Sequence, residues 1–230
     1  MRPYRLLAAA CSLALATGCS SVTGAGAPAT STAPVAPVTS SSARSGVVNP
    51  DPAKFAPQVI ARAHEVGVDP QLVLAILYNE NYKPHDPQLE RAWQNLKPDA
   101  AFGVANMHRG TFDQTRRGRP FATRQWQDLP DDPDLAIQAE AWYLHDLAAQ
   151  LPAKHIGQYT ADELLALGYN TGPGNMKAFA RGTKPGAQAR TYLADLRANW
   201  AKAGVAVGKP YRSAQPRAAS NAVRASFSPA

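Results

Sequence analysis

Cysteine is nearly absent from this chain. Cys11 and Cys19 are the only two among 230 residues, too few for a disulfide scaffold. No uninterrupted apolar run reaches the roughly 18 residues that a membrane-spanning helix needs. The five histidines, His64, His85, His108, His145 and His155, never form a metal-ligand spacing such as His-Glu-x-x-His, so no metal is expected. Phosphate-cradling glycine loops are missing as well, and no cofactor is expected. Strand-like alternation is sparse. Aliphatic residues are plentiful: 45% of the chain is apolar, clustered at helical spacing, which excludes disorder from end to end.

Acid is scarce relative to base. Seventeen Asp and Glu face 24 Lys and Arg, for a formal charge of +7. Such a balance suggests a polyanionic partner until the charges are located. Arg2 and Arg5 open a leader that continues through the apolar stretch Leu6 to Ala16 and ends in Ala16-Thr17-Gly18-Cys19, so residues 1–18 read as a signal peptide. Small residues before a cysteine resemble a bacterial lipobox, which makes Cys19 the expected lipidation site. Ala16-Thr17-Gly18 also suits an ordinary signal peptidase and plain secretion. Residues 19–49 are almost entirely Ser, Thr, Ala, Pro, Val and Gly, cannot bury a core, and read as a tether. Residues 204–230 hold Lys209, Arg212, Arg217 and Arg224 without an acid and read as a flexible basic tail. Residues 50–202 contain 17 charges of each sign. The excess positive charge therefore lies outside the central domain. Nucleic acid drops out as a partner, and an anionic wall or membrane surface remains open to the tail.

Residues 50–203 are enough for one domain with its own core. Helical signals dominate it. Asp51-Pro52, Asp69-Pro70 and Asp132-Pro133 each place a capping side chain before a proline at the first helical position. Phe55, Val59, Ala63 and Val66 keep helical spacing until Gly67. Leu72 to Tyr78 is apolar nearly all round, which predicts a buried central helix. Thr160-Ala161-Asp162-Glu163 is a capping box before Leu164, Leu165 and Leu167. A last helix over about 187–202 carries Leu193, Leu196 and Trp200 on one side. The expected class is mainly α, with room for one short β-hairpin between 95 and 110.

Glu80 ends the central helix three and four residues beyond Leu77 and Ile76, and so shares their apolar face. A carboxyl group there loses hydration, stays protonated near neutral pH and suits a general acid. A solvated glutamate at a frayed helix end is the plainer reading of spacing alone. Two further segments add to it. Ala101-Phe102-Gly103-Val104-Ala105-Asn106-Met107 sets a glycine and a short amide in an apolar stretch. Gly168-Tyr169-Asn170-Thr171-Gly172-Pro173-Gly174 closes one helix and opens the next, and turn chemistry explains its glycines and proline but not Tyr169-Asn170.

Taken in order, these elements resemble the catalytic domain of soluble-lytic-transglycosylase-type peptidoglycan lyases, in the lysozyme-like superfamily. Val68 to Ile76 looks like the family's lead-in helix, Glu80 falls where its catalytic glutamate stands, and Gly103 to Asn106 falls where Gly-Leu-Met-Gln is usual. Tyr169 to Gly174 is similar to its Ala-Tyr-Asn-Ala-Gly-Pro-Gly motif, and residues 133–144 and Tyr192-Leu193 resemble its flanking helices. Asn81 replaces the family's serine, Ala105 its bulkier methionine and Asn106 its glutamine. The segment between Asn81 and Ala101, with Tyr82, Lys83, His85, Asp86, Trp93 and Lys97, matches no motif.

The resemblance implies an α+β lysozyme-like fold and a substrate of peptidoglycan glycan strands. It also implies non-hydrolytic cleavage between N-acetylmuramic acid and N-acetylglucosamine. Glu80 would act as acid and then base. Tyr169 and Asn170 would orient Glu80 or the substrate's acetamido group, while Gly103 and Asn106 would hold the sugar. A hydrolysing muramidase of the same fold would need a second carboxylate, for which Asp86 and Asp99 are the expected sources. A degenerate wall-binding lipoprotein is the non-enzymatic alternative, motivated by Asn81, Ala105 and Asn106. Of the candidate sugar platforms Trp93, Trp126 and Trp142, Trp142 reads as packing on a core-facing helix and Trp93, near the motif loop, is the best placed; Arg116-Arg117-Gly118-Arg119 reads as a solvated basic turn or a contact for anionic polymer.

Overall fold

Four Asp-Pro pairs punctuate the fold. The computed structural model describes residues 49–209. The expected leader, Cys19, nearly all of the tether and the tail beyond Lys209 lie outside the described residues. After a short 3-10 turn at Pro52–Phe55 come α1 (Ala56–Val66), α2 (Pro70–Glu80) and α3 (Pro87–Leu96). A hairpin of β1 (Ala101–Phe102) and β2 (Met107–His108) follows, then α4 (Arg109–Thr115) and α5 (Pro133–Ala148). The chain ends in α6 (Ala161–Thr171), α7 (Pro173–Ala180) and α8 (Ala187–Ala206). The class is mainly α with one small antiparallel sheet, the lysozyme-like arrangement expected from the sequence.

Local chemistry sets the helix boundaries. Asp69 caps α2 by accepting from the Gln71 N–H at 2.8 Å, and Asp132 caps α5 through the Leu135 N–H at 3.0 Å. Thr160 and Glu163 bond reciprocally at the start of α6, the capping box read from the sequence. Gly67 ends α1 at φ 73°, a left-handed conformation that costs glycine nothing. Asp86-Pro87 carries the same start signal and opens α3, a helix that the spacing of its apolar residues did not predict.

The core is built around α2. Leu72 to Leu77 are buried on every side, because α1, α5, α6 and α8 enclose the helix. Two side-chain ties fix α8 against it. Gln71 Nε2 donates to the Trp200 carbonyl at 2.8 Å, and Asn79 Nδ2 donates to the Tyr192 carbonyl at 2.9 Å. The tied residues are eight apart on each helix and run in opposite directions, so α8 lies antiparallel to α2 in one fixed register.

Helix α8 also corrects the expected domain boundary. The sequence places the start of the tail at residue 204, but the helix continues to Ala206, and Ala203 and Gly204 are buried. Gly204 reads as a stop in sequence. Inside the helix it makes room for Gln71, whose Nε2 lies 2.8 Å from where a Cβ would stand. Lys209, assigned to the flexible tail, pairs with Asp69 at 2.6 Å.

Candidate active site

Glu80 occupies the C-terminal end of α2, at the wall of an open cleft of about 740 Å³. Only 6% of the residue is exposed. Both carboxylate oxygens are held: Asn106 Nδ2 donates to Oε2 at 2.9 Å, and the Tyr192 hydroxyl donates to Oε1 at 3.0 Å. Burial pushes the Glu80 carboxyl above its ordinary range, against the opposing pull of these two donors and of Lys83 and His85. Desolvation outweighs hydrogen bonding, so the group keeps its proton to a higher pH than a surface glutamate. A general acid requires a shift in this direction.

The loop after β1 brings Asn106 to Glu80. Gly103 starts it at φ 71°, where a Cβ would lie 2.8 Å from the Leu129 carbonyl oxygen, so glycine is required on two counts. The Gly103 N–H donates to Glu90 Oε2 at 2.9 Å, and the Asn106 N–H turns back onto the Gly103 carbonyl at 2.9 Å. Asn106 is the only described non-glycine residue at positive φ, 48°, a strain that asparagine tolerates and that fixes its amide toward Glu80. Its Oδ1 is buried with no partner among the described residues.

Asn106 and Glu80 therefore meet, while the remaining expected residues divide. Asn170 lines the exposed wall of the same cleft. Tyr169 also lines it, but its hydroxyl donates to the Ala105 carbonyl at 2.5 Å and not to Glu80. That bond braces the Asn106 loop, so of the two expected uses of Tyr169, orienting Glu80 or the substrate's acetamido group, a direct bond to Glu80 is not made in this structure. Gly103 is not among the residues that line the cleft, and its N–H is taken by Glu90, so its contribution here is to shape the loop.

Three other expectations change. Asp86 caps α3 by accepting from the Gln88 and Leu89 N–H groups, and Asp99 is exposed outside the cleft, so neither stands as a second acid beside Glu80. Asp195, on α8, is the other carboxylate that lines the cleft. Arg116 and Arg119 of the basic turn are used internally: Arg116 bonds Asp113 and two carbonyls, and Arg119 pairs with Asp146 over the Trp142 ring.

Sequence reasoning missed two residues here. Tyr192 shares the buried face of α8 with Ala189 and Leu196, and a polar-tipped aromatic on such a face was the available signal. Glu140 lies on α5 between the buried Ala136 and Leu144, fully buried, with neither oxygen bonded among the described residues. Burial, and then the charge of Glu80, push its carboxyl well above the ordinary range, so Glu140 keeps its proton to a higher pH than a solvated glutamate. Burial also raises Tyr169 and Tyr192, with the charges of both glutamates adding to it.

A buried, doubly held glutamate on an open cleft with a polar lining suits acid–base chemistry on a polar substrate. No curated protein matches the chain. Residues 57–189 match the transglycosylase SLT domain, and since they are more than half of the chain it belongs to that family, whose activity on peptidoglycan is of the lytic-transglycosylase type.

Proposed function

We propose that the protein cleaves the β-1,4 bond between N-acetylmuramic acid and N-acetylglucosamine without water, leaving a 1,6-anhydro-muramyl end. The observation that carries this reading is the environment of Glu80: a desolvated carboxyl with a donor on each oxygen, on the wall of an open cleft. Protonated Glu80 gives its proton to the bridging oxygen as the C1–O bond breaks, releasing N-acetylglucosamine as the alcohol. The substrate's own acetamido oxygen supports the positive charge at C1. Glu80, now a carboxylate stabilised by Tyr192 and Asn106, takes the proton of the muramyl 6-hydroxyl as that oxygen attacks C1. The glutamate ends as it began, protonated, and no second carboxylate or water is consumed.

The reading extends to location. Export through the leader of residues 1–18, and anchoring through lipid on Cys19, would bring the cleft to its substrate at the cell envelope. No helix among the described residues is long and apolar enough to cross a membrane.

Asp195 favours one rival, a muramidase of the same fold in which that carboxylate activates water. Digestion of purified peptidoglycan by the full chain, read by mass spectrometry, separates the two. Anhydro ends support the lyase; reducing ends overturn it. The Glu80→Gln variant is expected to lose at least about 1,000-fold in rate, within the range set by removing a general acid and its developing charge. Undiminished anhydro product from that variant would sink the role given to Glu80.

A further inference from the structure

Helix α3 is turned inside out. Its polar residues Glu90 and Gln94 are 5% and 7% exposed, whereas Leu89, Trp93 and Leu96 are 52%, 50% and 77% exposed. The last three fall four and then three residues apart, which puts them on one stripe. With Tyr82 they make up four of the six large apolar side chains exposed among the described residues. Isolated apolar residues on a surface need no explanation; a cluster does.

Specific contacts impose this orientation. Glu90 is held inward by His85 at 3.1 Å and by the Gly103 N–H at 2.9 Å, and Gln94 by the Trp126 carbonyl at 3.4 Å. His85 in turn lies 3.3 Å from the Glu80 carbonyl oxygen. The buried face of α3 therefore braces the catalytic helix and the Asn106 loop, and the apolar stripe is left outward.

Leu89 and Trp93 line a hollow of about 340 Å³ with Pro84 and Phe102, and Lys83 and Lys97 supply its cations. Lys83, Ala100 and Ala101 line both this hollow and the Glu80 cleft, so the two adjoin. Glu90, the one carboxylate in its lining, is already engaged. Lys97 has no carboxylate partner among the described residues, and its Nζ stands 5.4 Å from the centre of the Trp93 ring.

The chemistry of the hollow selects among occupants. A sugar ring needs donors and acceptors around its rim, and apart from the two ammonium groups this lining is mostly carbon. A bilayer surface is flat and does not fill a concavity. A peptide stem of a glycan strand offers methyl and methylene groups together with free carboxylates, and it hangs from the very unit that the cleft would hold. We propose that the hollow beside Trp93 binds the peptide stem of a strand lying in the cleft, its aliphatic part against Leu89 and Trp93 and a stem carboxylate on Lys97. This inference rests on the substrate assigned under Proposed function. The segment that carries it is the one with no counterpart in the family motifs.

Two measurements test it. The first uses 15N-labelled full chain with Glu80→Gln and follows the Trp93 indole N–H, assigned by its loss in Trp93→Phe. The peptide L-Ala-γ-D-Glu-L-Lys-D-Ala is expected to shift that signal saturably, and Lys97→Glu, a change on an exposed side chain, to weaken binding about tenfold. A response to chitotetraose but not to the peptide overturns the proposal in favour of a sugar subsite. A response only to phosphatidylglycerol vesicles overturns it in favour of a membrane contact, and no response to any probe overturns it outright. The second measurement compares strands with and without stems. Trp93→Ala and Lys97→Glu should each lower kcat/KM about tenfold on stem-bearing strands and leave stem-free strands unchanged; equal losses on both overturn stem recognition. Absence of product from wild type on either strand would count against the lyase reading alone, since the peptide titration needs no turnover.

Discussion

The Tyr192 hydroxyl donates to Glu80 Oε1 at 3.0 Å, across 112 residues of sequence. That contact depends on the register of α8 on α2, which Gln71 and Asn79 set by bonding the Trp200 and Tyr192 carbonyls. A slip of one residue along α8 would rotate Tyr192 by about 100° away from the carboxyl. Polar ties at the margin of an apolar helix pair thus position the Tyr192 hydroxyl on the Glu80 carboxyl.

Replacing Tyr192 by Phe is expected to lower kcat about 10- to 100-fold, because the carboxylate formed after proton donation loses one of its two donors. The pH profile separates this from a packing defect. Loss of a donor disfavours the ionised form, so the Glu80 pKa, already raised by burial, rises further. The acid step needs protonated Glu80, and the alkaline limb of kcat/KM should move to higher pH. A limb that stays fixed or moves to lower pH would contradict this role for Tyr192.

Gly103→Ala should unfold the loop that carries Asn106. The left-handed φ of 71° costs a non-glycine residue about 1–2 kcal/mol, and the Cβ would meet the Leu129 carbonyl oxygen at 2.8 Å. Overpacking adds about 1–3 kcal/mol. For a domain of this size, a melting point lower by about 5–15 °C is expected in calorimetry. A variant as stable as wild type would show that the loop has another low-energy path.

The helices most legible in the sequence are those whose ends carry their own chemistry. Asp-Pro pairs, Gly67 and the Thr160–Glu163 box act within one turn, so their effect can be read locally. The length of α8 was not readable in that way, since Gly204 sits in the helix only because Gln71 comes from elsewhere to fill its space. Helix α3 escaped for a related reason. Its apolar stripe faces out and its acid faces in, the reverse of what patterning assumes, and Glu90 is tolerated inside because His85 and the Gly103 N–H reach it. At the site, Glu80 and Asn106 were legible from motif and spacing. Tyr192 and Glu140 depend on contacts between helices far apart in the chain.

Asp195→Asn distinguishes the two ways of using the cleft. In the lyase, Glu80 serves both proton transfers, and removing the charge of Asp195 should change kcat by less than about threefold. In a hydrolase the same change removes the group that activates water and should cost at least about 100-fold. Rates on purified glycan strands, with anhydro and reducing ends counted separately, give the answer. A large loss confined to reducing ends would assign Asp195 to hydrolysis.

Glu140 makes the folded state sensitive to pH in a direction opposite to that of a paired surface acid. Its folded pKa lies well above the ordinary 4.5 of the unfolded chain, so over the interval between the two values the folded protein holds a proton that the unfolded chain has lost. Stability from this group is therefore greatest below about pH 4.5 and falls as pH rises through the interval, by at most about 1.4 kcal/mol per pH unit. Glu80, raised by burial as well, acts in the same direction. Urea midpoints at pH 5 and pH 8 should converge in Glu140→Gln relative to wild type, and converge further when Glu80→Gln is added. A Glu140 that holds its proton throughout the range in which Glu80 titrates predicts that exchange for a neutral amide leaves the alkaline limb of kcat/KM where it was. If Glu140 were instead charged in the native state, its removal would relieve repulsion on the Glu80 carboxylate, and that limb would move to lower pH.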